Sequence, residues 1–371
     1  MVNLCLALVI GLFFSCKRES GNQENEQEYI SLNAVHDITK AAVEYADSIL
    51  TTMTLEERIG QCLMPSINAN TERVNLNKYK RYIRDFHIGG IVLLKGNVSA
   101  AKKLSEIGRD SEIPLFIAID AEWGLGMRLE DAQVFPMNGK IRKGTEDISL
   151  YDYGQEIAKE CREIGINMVL GPVLDISSNK EDYIRNRSFG QDPKTVSEYG
   201  VAYAKGLESG GVMSVAKHFP GHGNVSTDTH KEAARLNKNI TALDSTDLKP
   251  FKDYVNEGLN GVMAGHIQAP GLDPGGSVAS VSMDILTSLL REEMGFKGLI
   301  LTDAFNMGGA RGSTPTDALK AGADLVLCPD DVEKEYKEIL KNVTSGKIAL
   351  SIIDEHCRRI LFTKYIFGIY N

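Results

Sequence analysis

Between Lys217 and His230 the chain reads KHFPGHGNVSTDTH, a lysine, three histidines and an aspartate gathered around a glycine-rich turn. Asp228 and His230 are separated by one residue. On an extended segment such residues share a side, so Asp228 can hold the His230 imidazole, fix its tautomer and raise its proton affinity, as a general acid/base requires. On spacing alone, a solvated loop histidine beside a chance aspartate is the simpler reading. His218, His222 and His230 could instead gather zinc, but no HExxH and no matching cysteine accompanies them, so no metal or other cofactor is expected. Asp303, in LILTDAFNMGG, directly follows an apolar run. It is either a cap for the next helix or, kept ionised on a polar rim, a nucleophile.

These residues need a scaffold that brings them together. Eight short apolar runs supply one: GQCLMPS, IGGIVLLKG, IPLFIAIDAEWG, INMVLGPVLDI, GVMSVAKHFPGHG, GVMAGHIQAP, GLILTDAFNMGG and ADLVLCPD. Each is rich in Val, Ile and Leu, too short for a helix and not alternating, as strands buried on both faces of a parallel sheet read. Helical stretches such as SLYDYGQEIAKECREIG, DPKTVSEYGVAYAKGLESGG and LDSTDLKPFKDYVNEG lie between them. The repeated βα pattern predicts a (β/α)8 TIM-type barrel as a single α/β domain. A doubly wound open sheet is the alternative, against which no GxGxxG or Walker signature follows the first strand. Before the first run, MTLEERIG predicts a helix start capped by Thr54 with Glu57 three residues on.

The polar residues fall at the C-terminal ends of the runs: Asp120 and Glu122 after the third, Asp175 after the fourth, Lys217 and His218 in the fifth, His266 in the sixth, Asp303 in the seventh. That is the face on which barrels build their sites. Arg128 and Arg187 join them as candidates. Singly, each of Lys217, Arg187, Arg128 and Asp120 could be a surface ion pair; together they offer donors and an acceptor suited to sugar hydroxyls.

With 371 residues, 43% hydrophobic and 25% charged, the chain has the composition of an ordinary globular protein. Its net charge of −9 and lack of a basic run argue against nucleic-acid binding. LCLALVIGLFFSC at the N-terminus is shorter than the roughly 20 residues of a membrane span and resembles a bacterial lipoprotein signal, with Cys16 as the lipidated residue. The polar stretch KRESGNQENEQE reads as a tether. The expected organisation is therefore a signal peptide over 1–16, a tether over 17–34 and a barrel over 35–371, exported and held on a bacterial membrane. Cys62, Cys161, Cys328 and Cys357 show no CxxC spacing and read as buried thiols.

KHFPGHGNVSTDTH, with RNRSFGQDP upstream and LTDAFNMGG downstream, resembles the family 3 glycoside hydrolases, and within them the β-N-acetylhexosaminidase branch. The resemblance runs from about Thr54 to the C-terminus. It implies a retaining hydrolase that releases terminal N-acetylglucosamine from peptidoglycan fragments or other amino-sugar glycans. It further implies that Asp303 is the nucleophile of a covalent glycosyl-enzyme, that His230 is the acid/base and Asp228 its orienting partner, and that Asp120, Arg128, Arg187, Lys217 and His218 are ligands of the sugar. Where the family commonly carries Asp-Gln-Glu-Gly-Gly, this chain has DAEWG, so Ala121 and Trp123 reshape that rim. Relatives acting on glucosides or xylosides usually add a second domain; after the eighth run only residues 331–371 follow here. A β-glucosidase or β-xylosidase on the same scaffold, a non-catalytic glycan-binding envelope lipoprotein, and phosphate in place of water as acceptor are the alternatives.

Overall fold

The computed structural model describes residues 32–70, 72–141, 149–177, 184–222 and 233–370. Cys16, Asp228 and His230 lie outside them. All eight apolar runs contribute parallel strands, in chain order around a closed ring. The first strand comes in two pieces, Leu63–Met64 and Ser66–Ala69. The next three are Gly90–Gly96, Phe116–Ile119 and Met168–Val169. The fifth, again in two pieces, is Met213–Ser214 and Ala216–Phe219, followed by Gly261–Ala264, Leu299–Thr302 and Val326–Leu327.

Pairing runs Ser66 to Val92, Gly90 to Phe116, Ala118 to Met168, Met168 to Met213, Ala216 to Val262 and Gly261 to Leu299. A bridge from Leu301 to Leu325 reaches the eighth strand, whose Val326 and Leu327 pair with Leu63 and Met64 and close the barrel. Strands of a closed barrel bury both faces, which is why Ile91, Phe116, Ile119, Val169, Val262 and Leu301 are all enclosed. Gly89 marks a close backbone approach: its N–H is shared between the Gly60 and Leu63 carbonyls, and a Cβ there would lie 1.9 Å from the Gln61 oxygen. Cys62, Cys161, Cys328 and Cys357 are buried free thiols.

Local signals set the helices. Thr54 caps Leu55–Gln61 by a reciprocal pair: the Glu57 N–H donates to Thr54 Oγ1 at 3.2 Å, and the Thr54 N–H donates to Glu57 Oε2 at 2.7 Å. The stretch LDSTDLKPFKDYVNEG, expected as one helix, is two, Ile240–Ser245 and Leu248–Asn256. Pro250 explains the break, because in a continuous helix its ring would meet the carbonyl four residues back, that of Thr246; in the first turn of a new helix it is tolerated. The sixth run likewise divides. Gly261–Ala264 stays in the barrel, while Ile267–Gln268 pairs outside it with Ala234–Arg235. The first helix begins at Leu32, so the end of the stretch expected as tether is helical. Among the described residues no helix is long and apolar enough to cross a membrane.

The last helix, Leu350–Ile366, meets the N-terminal ends of the first and third strands, Lys364 Nζ donating to Gln61 Oε1 at 2.7 Å and lying over the Phe116 ring, and of the seventh through Asp324. There Asp324, fully buried, accepts from the Ile300 N–H at 2.8 Å and Arg359 Nε at 2.7 Å, lies 2.8 Å from His356 Nδ1, and pairs with Arg291. Burial alone would raise this carboxyl, but the Arg291 and Arg359 guanidiniums outweigh it and hold it well below the usual carboxylate range. Removing one member of a buried ion cluster strands the others at a cost of about 3–5 kcal/mol. Asp324→Ala is therefore expected to lower the unfolding free energy by about that amount in a denaturant titration; a loss below about 1 kcal/mol would mean that the cluster does not hold this end together.

Candidate active site

At the opposite, C-terminal ends of the strands, two carboxylates and three cations alternate. The third strand ends at Ile119, and the turn after it presents Asp120 and Glu122, whose i and i+2 spacing puts both on one side. Lys217, in the fifth strand and only 2% exposed, sends Nζ between them, 2.6 Å from Asp120 Oδ1 and 2.8 Å from Glu122 Oε1. Arg128 donates to the other oxygen of Asp120 at 2.5 Å. Arg187 forks onto Glu122, Nη2 to Oε1 at 2.7 Å and Nε to Oε2 at 3.0 Å. Burial pushes both carboxyls up, yet the cations win: Lys217 and Arg128 hold Asp120 well below its ordinary range, and Arg187 and Lys217 hold Glu122 at about 2. For Lys217 burial works against the charge, and the two carboxylates more than offset it, keeping the ammonium above its usual value.

A third buried carboxylate organises the turn after the fifth strand. Asp175 Oδ1 accepts the N–H groups of His218 at 3.1 Å and His222 at 2.7 Å, and Oδ2 lies 2.6 Å from His218 Nδ1. An ionised carboxylate only accepts, so Nδ1 carries a hydrogen and His218 Nε2 is left for chemistry or binding. Burial opposes the charge on Asp175, but the His218 contact outweighs it and holds the carboxyl at about 2.

Asp303 follows the seventh strand, its N–H donating to the Ala264 carbonyl at 2.8 Å. It caps no helix: the next α-helix, Pro315–Ala321, has Thr314 as its cap. The Ala304 N–H donates to Asp303 Oδ1 at 2.8 Å, and among the described residues Oδ2 carries no hydrogen bond. Burial would raise this carboxyl; the neighbouring His218 and His266 imidazoles, the Ala304 N–H and Lys217 together hold it below its ordinary value. It is thus an ionised carboxylate with one oxygen tied and one free, as a nucleophile requires.

Of the residues singled out from the sequence, Asp120, Arg128, Arg187, Lys217, His218 and Asp303 therefore share one rim. Asp228 and His230 belong to the segment outside the described residues. Glu122, Asp175 and His266 had been placed on this rim by position but given no role; the structure shows Glu122 binding Lys217 and Arg187, Asp175 holding His218, and His266 beside Asp303. The spacing of Glu122 from Asp120 was the one signal that could have revealed the first of these. Among the described residues no group of three or more His, Cys, Asp or Glu side chains is arranged to hold a metal.

A closed parallel barrel with its polar groups gathered at the strand C-termini defines the class as a TIM-barrel protein with an enzyme-like rim. Residues 54–363 match the glycosyl hydrolase family 3 N-terminal domain, and the chain belongs to that family. It is 36% identical over 260 residues to a beta-hexosaminidase of Nitrosomonas eutropha, covering 66% of this chain and 74% of that one. Over 309 residues it is 32% identical to a beta-hexosaminidase of Hydrogenovibrio crunogenus, covering 78% and 85% of the two chains. The solved glycoside hydrolase family 3 beta-N-acetylglucosaminidase of Paenibacillus sp. str. FPU-7 superposes with a TM-score of 0.78 at 28% identity, over 86% of this chain and 63% of that one.

A carboxyl held at about 2 instead of its ordinary 4.5 contributes about 3 kcal/mol at neutral pH. Because the folded-state value is depressed, that contribution is complete above the ordinary carboxyl range and is lost as pH falls through about 2. Glu122→Gln is expected to be less stable than wild type by about that amount at neutral pH, with the difference shrinking as pH is lowered from about 5 towards 2. Denaturant unfolding across that range checks it, and a gap independent of pH would contradict the ionised pairing.

Proposed function

We propose that the chain is a retaining β-N-acetylhexosaminidase that releases terminal N-acetylglucosamine from peptidoglycan fragments or related amino-sugar glycans. The observation that carries this reading is Asp303, an ionised carboxylate whose Oδ2 carries no hydrogen bond among the described residues, standing on one rim with an ordered set of charged groups in a chain similar to proteins named beta-hexosaminidase. In this reading Asp303 Oδ2 attacks the anomeric carbon while His230 gives a proton to the leaving oxygen, so the glycosidic bond breaks as the glycosyl-enzyme ester forms. His230, now a base, takes a proton from water, which attacks the same carbon and restores the carboxylate. Asp228 orients the imidazole. Asp120 accepts from sugar hydroxyls while Arg128, Arg187 and Lys217 donate to them and His218 presents its Nε2, on a frame that pairing has already ordered.

On an aryl N-acetyl-β-glucosaminide, Asp303→Ala is expected to fall to background and His230→Ala to lose about 10²–10⁴-fold in kcat. Unchanged turnover in the Asp303 variant would reject the nucleophile, and faster cleavage of the aryl glucoside than of the N-acetylglucosaminide would reject the sugar.

We further read residues 1–16 as a lipoprotein signal, 17–34 as the tether and 35–371 as the catalytic domain, with Cys16 anchoring the protein to the cell envelope. The apolar run ending at Ser15 and Cys16 supports this. Mass spectrometry of the mature protein is expected to find an acylated Cys16 at its N-terminus, and Cys16→Ser to move the protein from the membrane to the soluble fraction; a mature chain beginning elsewhere would reject the anchor.

A further inference from the structure

His266 is completely buried between the sixth and seventh strands. Its Nδ1 lies 2.8 Å from Ser280 Oγ and its Nε2 lies 3.0 Å from the Ala304 carbonyl oxygen. A carbonyl oxygen only accepts, so Nε2 carries the hydrogen; in the neutral ring Nδ1 then accepts from the Ser280 hydroxyl. Burial holds this imidazole below the ordinary histidine range, although the Asp303 charge pulls it the other way. The ring also meets Phe305 edge-on, centroids 5.5 Å apart.

The group that His266 grips matters because Ala304 is the residue whose N–H holds Asp303 Oδ1. On its far side this segment is tied to the eighth strand, the Phe305 and Asn306 N–H groups donating to the Leu327 and Cys328 carbonyls at 3.0 and 3.2 Å. On its near side the Asp303 N–H donates to Ala264, and His266 is the one side chain among the described residues that binds the Ala304 carbonyl. The Met307 N–H, which shares that carbonyl, belongs to the same segment and cannot fix it to the barrel.

We propose that His266 is a positioning residue for the Asp303 carboxylate. By anchoring the Ala304 carbonyl to the sixth strand it sets the orientation of the N–H that binds Oδ1, and so aims Oδ2 at the anomeric carbon. Small errors in the placement of a reacting atom cost large factors in rate, so the effect belongs in turnover and not in binding. This inference rests on Asp303 being the nucleophile but not on which sugar is cleaved.

The variants His266→Leu, His266→Gln and Ser280→Ala test it, assayed on whichever aryl β-glycoside wild type cleaves fastest. His266→Leu should lose about 10–100-fold in kcat with KM within about threefold of wild type. His266→Gln, whose amide can donate to Ala304 and accept from Ser280, should recover most of that loss. Ser280→Ala should lose less than His266→Leu. Long-range ¹⁵N–¹H correlation spectra of the full chain should show His266 protonated at Nε2 and not at Nδ1. Wild-type kcat in His266→Leu, a loss confined to KM, no recovery in His266→Gln, or an Nδ1–H tautomer would each overturn the positioning role. Should His266→Leu not fold, the tautomer and the kcat of Ser280→Ala decide. Asp303→Ala run alongside separates the failures: full activity there removes the nucleophile itself, whereas an inactive Asp303→Ala beside a fully active His266→Leu removes only this proposal.

Discussion

The buried ammonium of Lys217 is the constraint around which the rim is organised. A lysine with almost no solvent contact cannot stay charged without carboxylates to replace its water. Asp120 and Glu122 do so, at 2.6 and 2.8 Å, and each carboxylate then needs a cation for its other oxygen, which Arg128 and Arg187 supply. The resulting order Arg128, Asp120, Lys217, Glu122, Arg187 ties the third strand, the fifth strand and the loop after the fourth into one unit. Such a cluster need not stabilise the fold more than apolar packing would. What it does provide is geometry: five charged groups that cannot rotate without stranding a buried partner.

The two ends of the barrel use the same physics for different purposes. Around Asp324, two arginines, a histidine and the Ile300 N–H satisfy one carboxylate, and the last helix is pinned across the strand N-termini. No oxygen is left over. At the other end the accounting is deliberately incomplete, since Asp303 Oδ2 and the Nε2 of His218 are not consumed by hydrogen bonds among the described residues. The carboxylate at the structural end is saturated, whereas the Asp303 carboxylate at the functional end keeps an oxygen open among the described residues.

Asp303 stays ionised although it is nearly buried because its neighbours offset the loss of water: the His218 and His266 imidazoles first, then the Ala304 N–H and Lys217. His218 can serve there only because Asp175 holds its other nitrogen. The chain of dependence thus passes from the fourth strand through the fifth to the seventh, and the parallel closure of the barrel is what makes these strand ends neighbours.

Much of this was legible in the sequence. The eight apolar runs carry their own signature of double burial, the Thr54 and Glu57 pair announces a helix start, and the polar residues at the run ends point to one face, because all three depend on near neighbours in the chain. The break at Thr246 was also readable in principle, since Pro250 excludes a continuous helix by local sterics. Roles that depend on distant partners were not. Glu122 meets an arginine 65 residues away, His218 a carboxylate 43 residues away, and His266 a carbonyl 38 residues away. By itself, then, the sequence determined the elements and the residue types at their ends; only barrel closure decided which charges would face each other, because an ion pair or hydrogen bond acts over a few ångströms of space and takes no account of separation along the chain.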